Sequence, residues 1–397
     1  MAGMSDFDSP DFYQLDELLT DQERALRDRV RAFVSGRFLP VAVRHYRDGT
    51  FPLELAGALG ELQVFGPTIQ GYGCPGLGNV AAGVIMRELE RGDSGLRTFA
   101  SVQGSLAMVA INLFGSEEQK NRWLPAMARG EKFGAFGLTE PEFGSNPAGL
   151  QCRALQAPDG FVLNGAKKWI GNATVADVTV IWAKLGKGDD QQAIRGFLVE
   201  KGTHGFRPSL IEGKLSLRIG LTAEIRFEDC RIQPDAILPQ SGGLRSPLEC
   251  LNHARFGIAW GAIGAAMACY DEARQYALER SQFGKSIASF QLVQAKLANM
   301  LTEITKAQLL ALRLAQLKDA GQAKHYHISM AKMNNVAMAL EAARTARDML
   351  GAEGILDSRA CMRHMCNLES VKTYEGTEDI HRLILGQQIT GISAFGA

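Results

Sequence analysis

The spacing of apolar residues along the chain changes twice, and these changes divide it into three parts. In the first part apolar residues recur at helical spacing from Thr20, and Pro40 is expected to end the first helix. Two capping-box patterns, one at Thr20 and one at Ser116, indicate where helices begin. We therefore predict a helical N-terminal domain over residues 1–131.

Short β-rich runs replace the helical pattern in the second part, where Gly, Asn, Asp and Pro separate them. Ile225 and Phe227 alternate with charged residues at a period of two, which is typical of a half-buried strand. The helical period then returns in long segments rich in Ala and Leu. The pattern predicts an α+β multi-domain fold, with a small β-sheet or β-barrel domain over 132–244 and a C-terminal four-helix bundle over 245–397.

Composition excludes several classes of function. The 397 residues include 43 Lys plus Arg and 43 Asp plus Glu, so no net positive field attracts nucleic acid. The seven cysteines are scattered without a Cys-x-x-Cys spacing, which favours a reducing compartment over a disulfide framework. The first twenty residues carry five acids and no Lys or Arg, so they resemble no targeting peptide and a cytoplasmic protein is predicted. The uncharged stretch 257–270 is too short for a membrane span and is expected to be a buried helix.

Three residues stand out for their local chemistry. Glu375 lies in a glycine-containing turn that Thr377 is placed to cap before a helix. A carboxylate there is either a catalytic base or an acid stabilised by the helix dipole. Arg97 and Arg255 lie beside small and apolar residues, where a guanidinium group binds a carboxylate or phosphate, or forms an ordinary ion pair.

Other signatures of binding sites are weak or missing. The glycine-rich segments 137–146 and 350–355 lack the G-x-G-x-x-G register that follows a strand in dinucleotide-binding folds. Cys361, His364 and Cys366 form at best a weak cluster of metal ligands, and we predict no metal site.

Five segments taken together resemble the acyl-CoA dehydrogenase family, over nearly the whole chain and in the same helix, sheet, helix order. They are GLTEPEFGS, AKKWIGNA, ERSQFGKSIASFQ, DMLGAEGI and TYEGTEDIHRLILG. Within the family, RELERGDSGLRTFASVQGSLAM and LNHARFGIAWGAIGAA are most similar to the glutaryl-CoA dehydrogenases. The resemblance implies FAD as cofactor, an acyl-CoA substrate, an electron-transfer flavoprotein as electron acceptor, and a homo-oligomer, usually a tetramer.

The resemblance also implies roles for individual residues. Glu375 is expected to take the α-proton of the thioester while the β-hydrogen leaves as hydride to the flavin. The residues expected to bind FAD are Phe136, Leu138, Thr139, Ser145, Trp169, Ile170, Gly171, Arg280, Phe283, Gln291, Asp348, Leu350, Gly351, Thr377 and Asp379. Of these, the groups around Arg280 and Asp348 are expected to reach the FAD of a neighbouring subunit.

The residues expected to bind the substrate are Glu90, Arg97, Thr98, Ser145, Arg255, Tyr374 and Gly376. Arg97 and Thr98, supported by Glu90, resemble the group that holds the far carboxylate of glutaryl-CoA. Facing a plain alkyl chain, Arg97 would be an unpaired buried charge. The predicted reaction is therefore oxidative decarboxylation of glutaryl-CoA to crotonyl-CoA and CO2.

One departure from the family pattern keeps two alternatives open. Gly171 stands where the family usually has a threonine whose hydroxyl binds flavin N5, and WIGN also resembles short-chain acyl-CoA oxidases. The chain is therefore alternatively a short-chain acyl-CoA dehydrogenase or an oxygen-using oxidase. A non-catalytic acyl-CoA-binding scaffold is the remaining hypothesis, based on Gly171, Ala352 and Gln387.

Overall fold

The computed structural model describes residues 10–188 and 190–395. The first nine residues, which contribute to the cytoplasmic prediction, lie outside the described residues. The N-terminal helices are α1 (Asp21–Phe33), α2 (Leu39–Asp48), α3 (Ala56–Glu61), α4 (Asn79–Gly92), α5 (Ser94–Ser101), α6 (Met108–Phe114) and α7 (Glu117–Ala128). No helix in these two ranges combines the length and the apolar character needed to cross a membrane.

The capping boxes predicted for the first domain are confirmed, but the predicted end of the first helix is wrong. Thr20 Oγ1 accepts from the backbone N–H of Glu23 at 3.3 Å, and the Glu23 carboxylate accepts from that of Thr20 at 2.8 Å. Beyond α1 the chain continues through a wider π-type segment, Val34–Phe38, directly into α2. Pro40 lies in the first turn of α2, where a missing N–H costs little.

The middle part forms a seven-stranded sheet in the order β1-β4-β2-β3-β7-β6, with β5 paired to β4. Its strands are β1 (Gly134–Gly137), β2 (Arg153–Ala157), β3 (Gly160–Gly171), β4 (Val178–Leu185), β5 (Ile194–Glu200), β6 (Phe206–Leu210) and β7 (Thr222–Ile232). Ile225 and Phe227 are buried while Arg226 and Glu228 are exposed, which confirms the predicted alternation. The long strands β3 and β7 pair with two irregularities in register, one of them between Lys167 and Ile170.

The C-terminal part is a helical bundle, as predicted. Its helices are α8 (Arg245–Glu279), α9 (Gln291–Asp319), α10 (His325–Met349), α11 (Ala360–Thr373) and α12 (Glu378–Thr390), and a short hairpin of β8 (Ser281–Gln282) and β9 (Lys285–Ser286) separates α8 from α9. The predicted buried helix lies within α8, where almost every residue from Ala254 to Tyr270 is buried. The three-part α+β architecture predicted from the sequence is therefore confirmed.

Helix α4 joins the first and last parts into one hydrophobic core, because it packs against α8 with almost no intervening side chains. A Cβ atom at Gly264 would lie 1.9 Å from the backbone oxygen of Arg87, and one at Gly261 would lie 2.0 Å from Glu90 Oε2. Only glycine permits so close an approach at these two positions. The interior of the sheet forms a separate core of buried residues such as Ile181.

Candidate active site

A tight turn between α11 and α12 carries Glu375 towards the interior of the molecule. Glu375 and Gly376 both have positive φ, 54° and 96°, and the first value is uncommon for a residue with a side chain. Thr377 begins α12 as predicted, since its Oγ1 accepts from the backbone N–H of Ile380 at 3.3 Å. The turn is thus fixed from both sides, by the end of one helix and the capped start of the next.

The carboxyl group of Glu375 is desolvated and has no hydrogen-bond partner for its buried Oε2 among the described residues. Burial raises the pKa of Glu375 to about 7, while the charges of Arg97, Arg255 and Lys332 act in the opposite direction. An acid that merely stabilised a helix N-terminus would keep its negative charge and a lowered pKa. The structure therefore favours the interpretation of Glu375 as a proton acceptor over the helix-dipole alternative.

Three cations from three different helices surround the turn. Arg97 comes from α5, Arg255 from α8 and Lys332 from α10. Arg255 Nε donates to the backbone oxygen of Glu375 at 2.7 Å, so this arginine binds the turn rather than a carboxylate side chain. Burial lowers the pKa of Arg255 and brings that of Lys332 to about 7.

Sequence reasoning missed Lys332. The residue lies on the buried stripe of α10 with Ile328, Val336 and Ala339, at spacings of four and seven residues. A lysine on such an apolar stripe is a detectable signal, because it cannot reach solvent there without distorting the helix packing.

Arg97 forms a completely buried ion pair with Glu90. Its Nε donates to Glu90 Oε2 at 2.7 Å, its Nη2 donates to the hydroxyl of Tyr374, and neither charged side chain is exposed to solvent. Burial opposes the charge, but Glu90 and Tyr374 outweigh it and raise the pKa of Arg97. The expectation that Arg97 would be unpaired without a dicarboxylate is therefore wrong, because α4 supplies its counter-ion.

Several polar atoms around this ion pair nevertheless lack partners. Within residues 10–188 and 190–395, neither Arg97 Nη1, Thr98 Oγ1 nor Glu90 Oε1 has a hydrogen-bond partner, and all three are buried. Buried donors and acceptors are nearly always satisfied in folded proteins. Arg97 Nε and Nη2 and Glu90 Oε2 are thus hydrogen-bonded, whereas Arg97 Nη1 and Glu90 Oε1 are not.

An apolar surface, here called the ledge, is formed by Phe136 and Leu138 at the end of β1 and by Trp169 and Ile170 at the end of β3. Phe136 and Leu138, at the end of β1, are buried against the helical core, and the Thr139 carbonyl accepts from Lys168 N at 2.9 Å. This contact joins the loop after β1 to β3 beside Trp169, whose side chain is 58% exposed and whose φ is 64°. Ser145 is exposed further along the same loop.

The end of β3 is attached to α5 and the segment that follows it. Asn172 Nδ2 donates to the Phe99 backbone oxygen at 3.1 Å, and a Cβ atom at Gly171 would lie 2.9 Å from Val102 Cγ2. Helix α5 also carries Arg97, which donates to the Tyr374 hydroxyl. Both the end of β3 and the residue before Glu375 are therefore hydrogen-bonded to α5. An exposed indole, buried Ile170 and a side-chain-free Gly171 fit a flat tricyclic ring such as a flavin.

The remaining residues expected to bind FAD lie on or next to α8, α9, α10 and α12. Arg280, Gln291 and Asp348 are exposed, Phe283 is 93% exposed, and Asp348 pairs with Lys296 on α9. Leu350 and Gly351 were also predicted to bind FAD. The side chain of Leu350 is buried, so only its backbone and the exposed Gly351 are available to the cofactor. Asp379 is exposed and pairs with Arg382 at 2.9 Å.

The part of the chain that the structure describes contains no group of three or more His, Cys, Asp or Glu side chains placed to hold a metal ion. His364 is fully buried, and burial lowers its pKa to about 3.

Comparison with known proteins identifies the fold. Family models of the N-terminal, middle and C-terminal domains of acyl-CoA dehydrogenase match residues 20–131, 135–230 and 241–390. A glutaryl-CoA dehydrogenase structure from Mycobacterium smegmatis is 50% identical, with a TM-score of 0.93 and coverage of 96% of this chain and 98% of that one. A second structure from that organism, in complex with FADH2, is 46% identical, with a TM-score of 0.94 and coverage of 97% and 98%.

The chain is also similar to an enzyme whose name gives a different substrate specificity. The mitochondrial short-chain specific acyl-CoA dehydrogenase of Homo sapiens is 34% identical over 371 residues, which cover 92% of this chain and 90% of that protein. The chain belongs to the acyl-CoA dehydrogenase family, and it is an oxidoreductase that acts on CH–CH bonds with FAD as its cofactor.

Proposed function

We propose that the chain catalyses oxidative decarboxylation of glutaryl-CoA to crotonyl-CoA and CO2. The observation that carries the proposal is the unsatisfied side of the Arg97 ion pair, where Nη1 and Thr98 Oγ1 are buried without partners among the described residues. A carboxylate at the far end of the acyl chain would accept hydrogen bonds from both groups. An alkyl chain would leave them unpaired, at a cost of about 1–3 kcal/mol each.

Glu375 is the proposed base. With a pKa near 7, its carboxylate is available at neutral pH and takes the α-proton of the thioester. Bound FAD supplies the acceptor for the β-hydrogen. In the proposed mechanism the backbone amide of Glu375 polarises the thioester carbonyl as charge develops on it. After CO2 leaves, the proton held by Glu375 returns to the carbon that carried the carboxylate.

Arg97 would contribute to specificity through its position as well as its charge. Its contact with the Tyr374 hydroxyl fixes the distance between the carboxylate site and the Glu375 turn. A five-carbon diacid carries a second carboxylate that would accept from Nη1, whereas a four-carbon acyl chain has no such group. The 50% identity with a glutaryl-CoA dehydrogenase supports this assignment, while the 34% identity with a short-chain enzyme leaves butyryl-CoA as the competitor.

Anaerobic mixing of the holoenzyme with glutaryl-CoA and with butyryl-CoA tests the proposal. Glutaryl-CoA is expected to bleach the flavin faster at equal concentration, with one CO2 released per flavin reduced. If only butyryl-CoA bleaches the flavin, or if glutaryl-CoA does so without releasing CO2, the substrate assignment is wrong.

A second candidate function concerns the electron acceptor. We infer that the electron acceptor is an electron-transfer flavoprotein, as the family resemblance implies. The same resemblance supports a tetrameric assembly. Gly171 favours the competing possibility, in which the reduced flavin reacts directly with oxygen. The test is reoxidation of the reduced enzyme in air. Rapid release of hydrogen peroxide, without stimulation by an added electron carrier, would establish an oxidase, and slow reoxidation would exclude one.

A further inference from the structure

We propose that Lys332 is a positioning residue for this reaction, whose ammonium group holds the Glu375 turn in the shape that presents its carboxylate to the substrate. The proposal rests on the proposed function, in which Glu375 is the base. It adds a residue on α10 that lies outside the substrate and flavin contacts discussed above.

The ammonium group of Lys332 binds backbone oxygens on both sides of Glu375. Nζ donates to Gly376 O at 2.8 Å and to Tyr374 O at 3.1 Å, with Lys372 O at 3.4 Å. Since Arg255 Nε binds the carbonyl of Glu375 itself, three consecutive carbonyls are each held by a cation. Lys332 is 1% exposed, so water does not compete for these contacts.

The turn needs such support for two reasons. Glu375 has a φ of 54°, a left-handed conformation that costs about 1–3 kcal/mol for a residue with a side chain. The bound carbonyls also follow the C-terminus of α11, where backbone oxygens lack helical partners and the dipole is negative. A cation at this point satisfies the oxygens and complements the dipole.

Lys332 does not have the contacts of a structural ion pair. Among the described residues its hydrogen bonds go to backbone oxygens, and burial lowers its pKa to about 7 despite the attraction of Glu375 and Glu378. Burying an ammonium group without a hydrogen-bonded carboxylate is expensive. A role in orienting the Glu375 carboxylate explains why this ammonium group is buried despite the free-energy cost.

Charged groups on four helices bear on this arrangement, including Lys372 on α11, whose Nζ lies 2.8 Å from Glu378 Oε2. Arg97 on α5 and Arg255 on α8 add positive charge, and Glu378 on α12 adds negative charge. His381 on α12 also faces the turn, but burial lowers its pKa to about 3 and keeps it neutral. Removal of Lys332 therefore both frees the turn and withdraws one of three cations that lower the pKa of Glu375.

The experiment compares Lys332→Met with Lys214→Met in the flavin-loaded enzyme. Lys214 is a matched control, because its Nζ also donates to three oxygens, those of Leu217, Gly220 and Thr222, but in the middle domain. Three quantities are measured for each variant: the dissociation constant of the acyl-CoA, the melting temperature, and the rate of flavin reduction between pH 5 and pH 9.

We expect Lys332→Met to slow flavin reduction about 100-fold, the loss that a misplaced reacting group typically causes. The pH midpoint of reduction rises, and the dissociation constant of the acyl-CoA changes less than threefold. Lys214→Met alters the melting temperature without moving the midpoint. Lys332→Gln, which keeps hydrogen-bond donors but no charge, recovers part of the rate while its midpoint stays high.

Two results would overturn the inference: an unchanged rate and midpoint in Lys332→Met or Lys332→Gln, or the same losses in Lys214→Met. The Glu375→Gln variant distinguishes a failure of the inference about Lys332 from a failure of the proposed function. If that variant still reduces its flavin at the wild-type rate, Glu375 is not the base and the proposed function itself fails.

Discussion

At the residue scale, the titration of Glu375 follows from two opposing influences on one carboxyl group. Burial disfavours its charge, and three cations favour it, so its pKa is about 7. Only the ionised form accepts a proton, so activity is lost as the pH falls through this value. We predict that the rate of flavin reduction by bound acyl-CoA rises about tenfold per pH unit below 7 and stops rising near pH 7, where Lys332 also begins to lose its proton. A rate that is flat from pH 5 to pH 8 would contradict the assignment.

The Arg97–Glu90 pair allows a second prediction, for stability. Arg97→Met leaves the Glu90 carboxylate buried without its partner and should lower the free energy of unfolding by about 3–5 kcal/mol. Arg97→Met combined with Glu90→Leu removes both charges and should recover most of this loss. Urea denaturation of the single and double variants measures the difference. Equal stability of Arg97→Met and the wild type would show that the pair is solvated.

Local sequence patterns identified Glu375, Arg97 and Arg255 as candidates, because glycine, small and apolar neighbours surround them. The same patterns could not find Lys332, since its contacts depend on which face of α10 meets a turn far along the chain. They also could not reveal that the Glu90 carboxylate lies 2.7 Å from Arg97 Nε. Pairing between buried charges depends on three-dimensional distance, which a single sequence does not specify.

At the element scale, helix starts were more predictable than helix ends. The capping boxes at Thr20 and Ser116 are formed by side chains three residues apart, so the sequence alone specifies them. The effect of Pro40 depended on the preceding segment Val34–Phe38, whose π-type turn leads into α2 with Pro40 in the first turn of that helix. The left-handed Trp169 was likewise hidden in a strand pattern.

A buried cluster of charges connects α1 and α4 and gives a third prediction. Glu88 on α4 accepts from Arg31 on α1 at 3.0 Å, and Arg87 and Arg91 flank it. Although burial opposes its charge, these arginines lower the pKa of Glu88 to about 2, below its ordinary value of 4.5.

The stabilisation by Glu88 is therefore fully present above about pH 4.5 and is lost as the pH falls towards 2. Glu88→Gln should lower the free energy of unfolding by about 3–5 kcal/mol at neutral pH, with a smaller difference at pH 3. Chemical denaturation at pH 7 and pH 3 measures both values. A difference that is the same at the two pH values would mean that the charge of Glu88 does not contribute.

At the scale of the whole molecule, the order of helical, sheet and helical parts was predictable from periodicity, but their mutual packing was not. Asp93 shows how the parts meet: its carboxylate accepts from Arg363 at 3.0 Å and from Asn367 at 2.9 Å on α11. Asn367 in turn accepts from Leu217 N, in the middle part, at 2.8 Å. Such long-range contacts place the ledge, α5 and the Glu375 turn around one site.

The contact between Gly171 and Val102 yields a fourth prediction. Gly171→Thr, which introduces the residue usual in the family, brings a Cβ atom to 2.9 Å from Val102 Cγ2 and should lower both stability and flavin affinity. Adding Val102→Ala should restore both, because it removes the clashing methyl group. Melting temperature and flavin dissociation constant are the readouts. If Gly171→Thr alone binds flavin as tightly as the wild type, the contact does not restrict this position.

The most direct test of the central claim is anaerobic mixing of flavin-loaded Glu375→Gln with glutaryl-CoA and butyryl-CoA. This substitution keeps the size of the side chain but removes its ability to accept the α-proton. We predict that the variant binds both thioesters and that its flavin stays oxidised, with the reduction rate lowered at least about 100-fold. Bleaching at the wild-type rate by either thioester would show that another group removes the proton.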